Sequence, residues 1–421
     1  MKKRSKKTKR LQFLVLALGF VCCVMLAVYW TYPMQKQKSA IDVTSHYAQM
    51  VRVDKETPLY EKKDGEYKET GRIFKGTVLH LDQRDAQNMK ENYFRLQTDD
   101  CYILADHVVP EQTEENSVKK SSVYLPFNEN IVTKDSYAIE DETGNKLAEV
   151  THKASYPIYV KDEDRYGVLI QNKLVYIPKS AVAETQKSDN NSEPTAKQLP
   201  VFMYHYFYSK ENGEVSKNGN WLEVKDFEAQ LKYLKDHDYV TLRMQDVENF
   251  MDGKVQLPKN SVSITIDDGT ASIYKYAYPL LKKYGDTATF FLIGDHLKND
   301  TLPKSFQEMQ KNGMELQSHS YGMHTGGCEG GHGGALRCVG HEEGVADTKK
   351  SFSIIGGGNV YCYPYGDVTE SALQIMKDAG VHMAFTTNYG KIEPGMDKLQ
   401  LPRVRIFGDA GIQQFIYSLE S

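Results

Sequence analysis

From residue 199 onward, short apolar runs alternate with stretches whose apolar positions recur every three or four residues. The runs VFMYH (201–205), YVTLR (239–243), SVSITI (261–266), TATFFLI (287–293), MELQSH (314–319), VYCYPY (360–365), MAFTT (383–387) and LPRVRI (401–406) read as strands. Between them, VKDFEAQLKYLKDH places Phe227, Leu231 and Leu234 at helical spacing. YKYAYPLLKKYG, PKSFQEMQKNG and ESALQIMKDAG each read as a helix stopped by a glycine, Gly285, Gly313 and Gly380. Strand and helix alternating over 199–421 predict a parallel α/β domain. Up to eight strands without a polar face favour a distorted (β/α) barrel over an open sheet.

Upstream the rhythm is that of hairpins. Residues 51–112 carry turn signals at Asp64-Gly65 and Lys75-Gly76, and residues 121–185 carry one at Gly144-Asn145. The two segments close alike: Tyr93 aligns with Tyr166, Leu96 with Leu169, Tyr102 with Tyr176, Ile103 with Ile177 and Val108 with Val182. That repeat predicts two small all-β barrels. In pattern they resemble bacterial SH3b modules, a resemblance that implies either wall-polymer binding or a spacer role. Residues 186–198 are polar without apolar periodicity and read as a linker, as do 31–50.

The N-terminus changes the picture more than the bulk composition does. Residues 2–10 carry seven Lys/Arg and no acid, and residues 11–30, LQFLVLALGFVCCVMLAVYW, carry no charge. A run of that length spans a bilayer core of about 30 Å. It lacks a small-residue cleavage site. The expectation is an uncleaved single-pass signal-anchor with a cytoplasmic tail at 1–10 and everything after it outside the cell membrane. Hydrophobic content of 40%, charge of 26% and a net charge of −4 over 421 residues describe globular material and give no nucleic-acid signal. Nothing points to an obligate protein partner. Cys101 and Cys362 read as core residues, and the Gly-rich loop 325–344 holds Cys328 and Cys338 at a separation that admits a local disulfide. This loop follows His324 directly and reads as a pliable lid, a substrate-binding loop or an inert insertion.

In barrels of this kind the working residues stand at the carboxyl ends of strands. There the chain places His205, then Asp267 and Asp268, then His319 with His324 five residues on, then Tyr365-Gly366. Taken alone, Asp-Asp-Gly is a turn and a histidine is a satisfied polar residue. Together, Asp268, His319 and His324 form a two-histidine, one-carboxylate ligand set for a divalent metal. Zn²⁺ is the first choice, with Co²⁺, Ni²⁺ or Mn²⁺ as alternatives. Asp267 beside it is placed to act as a general base.

These residues carry a resemblance. TIDDGT, HSYGMH and YPYG, in that order, resemble the three motifs of the polysaccharide deacetylases, the NodB-homology or carbohydrate esterase family 4 enzymes. The spacing of the two histidines and the opening VFMYH are similar to the poly-N-acetylglucosamine deacetylase branch. The resemblance covers about residues 198–421. It implies Asp267 as catalytic base, Asp268, His319 and His324 as metal ligands, and the Tyr365 backbone N–H as an oxyanion donor. The arginine of the third motif is missing near Cys362, and Arg403 or Arg405 is expected to replace it. The usual C-terminal Leu-x-His is absent too, and His205 is expected to serve as general acid. Tyr206, Phe207 and Trp221 are candidates for stacking on sugar rings. The implied activity is metal-dependent N-deacetylation of N-acetylglucosamine units in a cell-wall or surface polysaccharide. The alternatives are a polysaccharide O-acetyl esterase with the same machinery or a non-catalytic wall-binding protein.

Overall fold

A computed structural model describes residues 50–82, 92–97, 100–111, 123–409 and 411–420. The predicted tail and signal-anchor (1–30) and nearly all of the 31–50 linker lie outside these residues. Among the described residues no helix is long and apolar enough to cross a membrane. The chain divides into two compact units: one holds the described residues up to Lys68 together with Lys75–Glu114, and the other holds Glu69–Phe74 and Glu115–Ser421.

The second unit contains a closed barrel. Its staves are β1 (Val201–Tyr204), β2 (Ser261–Ile266), β3 (Thr289–Leu292), β4 (Glu315–Ser318), β5 (Val360–Cys362), β6 (Met383–Tyr389) and β7 (Leu401–Arg405). Each stave pairs in parallel with its neighbours in sequence, and β1 closes against both β2 and β7. Every residue of β1, β2, β3 and β5 is buried, as helices on the outside and packed side chains inside require. Seven strands close the ring rather than eight. The predicted strand at 239–243 shrinks to Val240–Thr241, appended to the start of β2 outside the ring. The chain cannot extend there because Asp246 accepts the N–H of Arg243 at 3.0 Å and turns it into a helix, Met244–Met251.

The four predicted helices form, at Val224–Asp236, Tyr278–Tyr284, Lys304–Lys311 and Glu370–Ala379. Gly285 and Gly380 take the left-handed conformation, φ 74° and 80°, that stops a helix. Met244–Met251, His341–Ile354 and Ile412–Glu420 are helices that the pattern did not predict.

The two all-β segments run through one order of pairings. In the first unit Met50–Val53 lies between Val78–His80 and Val108–Pro110, and a hairpin joins Tyr93–Arg95 to Cys101–Leu104. In the second unit Glu129–Thr133 lies between Ser155–Pro157 and Val182–Lys187, and a hairpin joins Arg165–Ile170 to Lys173–Pro178. Short 3₁₀ turns, Ala105–His107 and Lys179–Ala181, precede the last strand in each case. Ile103 and Ile177, aligned in sequence, are both fully buried.

The second segment is not set apart from the barrel by a free linker. Tyr124 Oη donates to Asp246 Oδ1 at 2.6 Å, and isolated bridges pair Leu125 with Gln256 and Val160 with Val255. The stretch read as a linker, 186–198, is pinned. The Asn190 side-chain amide donates to the carbonyls of Phe127 and Glu129 at 2.8 and 3.2 Å and to Asn130 Oδ1 at 2.8 Å, and Thr195 bridges to Pro258. Its order comes from polar side chains satisfying backbone groups, which leaves no apolar period to read.

Candidate active site

Two adjacent aspartates on a regular strand would face opposite ways. Here the strand ends between them. The N–H of Asp267 still donates to the Tyr204 carbonyl at 2.9 Å, but Asp268 turns to φ 73° and Gly269 to φ 67°. That left-handed turn brings both carboxylates to one cavity, where they are 1% and 7% exposed. Asp is among the few non-glycine residues that tolerate it.

Each carboxylate then meets a different environment. Arg403, wholly buried on β7, donates from Nη1 and Nη2 to Asp267 Oδ1 and Oδ2, both at 2.8 Å. The guanidinium is held by Thr386 O (3.1 Å), Thr265 Oγ1 (3.0 Å) and Cys362 Sγ (3.0 Å). Burial alone would raise the Asp267 pKa, but the charge and hydrogen bonds of Arg403 outweigh it and keep the carboxyl below its ordinary value. Of the two expected arginines the structure brings Arg403 against Asp267. Arg405, two residues on, lines the cavity instead.

Asp268 faces histidines. His319 Nδ1 lies 2.7 Å from the Cys362 carbonyl, which can only accept, so Nδ1 carries a proton and Nε2 is the nitrogen that faces inward. His319 Nε2 and His324 Nε2 lie 3.4 and 3.5 Å from Asp268 Oδ1. The three donor atoms fall within 4.8 Å of one another. Asp268 Oδ1 is buried without a hydrogen-bond partner, while Oδ2 accepts from the Tyr206 hydroxyl. An orphaned carboxylate oxygen facing two imidazole nitrogens fits a bound cation. A second converging set, Asp267, His319 and Cys362, is less suited, because Arg403 already occupies both oxygens of Asp267.

The five-residue step from His319 to His324 is braced from behind. Asp347, on the unpredicted helix His341–Ile354, accepts the N–H groups of Tyr321 and Gly322 at 2.9 and 2.7 Å. His205, just past β1, points Nε2 to 3.9 Å from Asp267 Oδ2. Burial lowers its pKa, and the two aspartates offset only part of that shift. Tyr365 stands at φ 59° in the turn after β5, with its ring 4.7 Å from that of His324. At the next residue, Gly366 (φ 76°), a Cβ would overlap Thr387, so the turn requires glycine.

These side chains line a cavity of about 290 Å³ that contains His205, Tyr206, Asp267, Asp268, His319, His324, Tyr365 and Arg403. The predicted sugar-stacking residues separate. Phe207 is 1% exposed and belongs to the core. Trp221 does not line the cavity; its ring stacks on Tyr206, with Lys217 Nζ 4.8 Å from its centroid. Tyr206 does line it, with its hydroxyl committed to Asp268.

The 325–344 loop is cross-linked and braced. Cys328 and Cys338 form a disulfide. The buried Asp367 carboxylate accepts the N–H groups of His332 (2.9 Å) and Gly334 (3.0 Å). From His341 onward the segment is already helix. This bracing puts His332, which nothing in the sequence orders, on the cavity wall. Asp367 follows the YPYG motif directly, a signal visible only once the loop is known to return to it.

The family profile for polysaccharide deacetylase matches residues 254–384. The chain is 31% identical over 238 residues to a putative polysaccharide deacetylase, YxkH, of Bacillus subtilis (strain 168), covering 54% of this chain and 80% of that protein. It is 30% identical over 227 residues to the poly-β-1,6-N-acetyl-D-glucosamine N-deacetylase of Staphylococcus aureus (strain MRSA252), covering 50% and 75%. Among solved structures, the Streptococcus pyogenes deacetylase PplD in complex with acetate is similar at 25% identity and TM-score 0.46, over 53% of this chain and 99% of that one. With four-fifths of a relative's length matched at this identity, the chain belongs to the polysaccharide deacetylase family, hydrolases that act on the acetamide C–N bond.

Proposed function

We propose that this chain is a metal-dependent N-deacetylase acting on N-acetylglucosamine units of a cell-wall or surface polysaccharide. The observation that carries this reading is the pairing of Asp267 with Arg403 beside the unpartnered Asp268 Oδ1, His319 and His324. Asp268, His319 and His324 would hold a divalent ion, Zn²⁺ first among the choices, which when bound polarises the acetyl carbonyl and makes water more acidic. Asp267, kept ionised by Arg403, takes the proton of the attacking water as the new C–O bond forms. The Tyr365 N–H donates to the oxyanion. The proton taken from water passes from Asp267 to His205, whose Nε2 lies 3.9 Å away, and from His205 to the nitrogen as the C–N bond breaks, leaving acetate and an amine. The N-deacetylase activity of the staphylococcal relative supports acetamide over ester as the bond cleaved.

In this reading residues 11–30 anchor the chain in the cell membrane as a single span, with the catalytic domain on the wall side. The all-β segments bind wall polymer or space the barrel from the membrane. The test is mass spectrometry of defined oligosaccharides with and without added Zn²⁺. N-acetylated substrates should lose acetate and gain primary amines. Acetate released only from O-acetylated substrates would sink the reading.

A further inference from the structure

Arg405 is the cation that the proposed chemistry leaves without a task. It follows Arg403 by two residues on β7, so both side chains leave the same face of the strand. Arg403 reaches into the barrel and neutralises Asp267, while Arg405 lines the catalytic cavity above it. Its Nη2 donates to Asn220 Oδ1 and its guanidinium lies 5.0 Å from the Phe407 ring centroid. Its Nε is buried and donates to nothing, and among the described residues no carboxylate pairs with it. A half-buried guanidinium that lines the cavity and has no carboxylate partner is poised for an anion that the protein does not supply. The field points the same way. Asp267 is neutralised by Arg403, and a divalent ion at Asp268 would bring two charges against one. The loaded cavity around Arg405 is then net positive.

We infer that Arg405 is a substrate-binding residue that selects glycans carrying an anionic group, a phosphate or a carboxylate, close to the acetamide that is cleaved. This rests on the deacetylase reading for which bond is cleaved, but not for the binding itself. Asn220 holds the planar fork in place, and a guanidinium so fixed recognises either anion through paired N–H donors.

The test uses the full chain with added Zn²⁺ and three tetrasaccharides. One is neutral β-1,6-linked N-acetylglucosamine, one is the same oligomer bearing a single phosphate monoester, and one alternates N-acetylglucosamine with N-acetylmuramic acid bearing free carboxylates. Calorimetry gives affinity and mass spectrometry gives acetate release. The wild type should bind at least one charged oligomer about tenfold more tightly than the neutral one, by a margin that shrinks with added salt. Arg405→Gln should abolish that margin, and Arg405→Lys, which keeps the charge but loses the fork, should retain part of it. Thermal melting of both variants checks that they fold. The oligomer with the Arg405-dependent margin identifies the anion. The inference is overturned if the wild type shows no preference, or if Arg405→Gln weakens neutral and charged oligomers equally. Arg405-dependent binding without acetate release from any oligomer would refute the deacetylase reading and leave this one standing.

Discussion

Replacing Arg403 with methionine tests the central ion pair most directly. The guanidinium is 0% exposed and its partner carboxylate 2%. Its loss strands the Asp267 carboxylate in the barrel interior and leaves the Thr386 carbonyl without the 3.1 Å bond from Nε. Removing one partner of a buried pair costs about 3–5 kcal/mol, because the remaining charge is uncompensated. Methionine restores apolar volume but no donor. The expected loss is therefore about 4 kcal/mol, a large part of the roughly 5–15 kcal/mol that holds a domain folded. The pH dependence follows from the sign of the shift. In the wild type the lowered Asp267 pKa contributes stability that is present above the unfolded value of about 3.9 and lost below it. In Arg403→Met, burial acts unopposed and raises the folded pKa. The penalty is then absent below about 3.9 and grows as pH rises toward the new folded value. The deficit should be smaller at pH 5 than at pH 7. Urea unfolding followed by tryptophan fluorescence measures it, since Trp221 stacks against Tyr206 beside the site. Adding Asp267→Asn to the variant should recover about 2 kcal/mol or more as coupling. A deficit below about 1 kcal/mol, or one unchanged between the two pH values, would refute the account of Arg403 as the counter-charge of the base.

Three further outcomes are expected. Asp268→Asn should lower Zn²⁺ affinity by at least tenfold in a competition titration, whereas Asp267→Asn should bind Zn²⁺ normally and release no acetate. His205→Gln should reduce kcat by about a hundredfold or more with metal affinity unchanged. Because burial lowers the His205 pKa, wild-type stability should also fall as pH drops below about 6.5, by a component that His205→Gln lacks. Replacing Cys328 and Cys338 with serine opens a closure of sequence separation 10, for which chain entropy predicts a loss of about 3 kcal/mol. Melting should show that loss, and KM should rise because His332 is no longer fixed on the cavity wall.

What the sequence disclosed divides along physical lines. A stave buried on both faces carries only apolar or small hydroxyl side chains, so β1, β2 and β3 are visible as runs without a charge. Chemistry at strand ends follows from the same fact, since polar residues appear where the apolar run stops. The helix His341–Ile354 gives no such signal. Its buried face is Gly344, Asp347, Thr348, Ser351 and Phe352, small or polar in all but one position. Two of those residues are buried with hydrogen bonds made: Asp347 braces the histidine loop, and Ser351 Oγ accepts from Ser318 Oγ at 2.7 Å. Asp367 and Asn190 escape notice for the same reason. Each satisfies backbone groups distant in sequence, and no local pattern records such a partner.

The adjacent aspartates show how far local reading extends. Sequence alone can ask why two like charges stand together, and a cation is the natural reply. The structure gives the two carboxylates different surroundings from two directions. Arg403 arrives from the last stave of the barrel, separated from Asp267 by 136 residues, so its pairing depends on ring closure. The left-handed turn at Asp268 directs the second carboxylate toward histidines that follow β4. Were Asp268 to keep the extended conformation, alternation would send its carboxylate away from Asp267. Repulsion between the pair is thus limited by the charge of Arg403 on Asp267, and a cation at Asp268 would limit it further. The roles also become non-interchangeable: Asp267 has both oxygens bound to a fixed guanidinium, and only Asp268 keeps a buried oxygen unpartnered. Swapping their environments would require moving Arg403, and the barrel locks Arg403 through the bonds it donates to Thr386, Thr265 and Cys362 on three other staves.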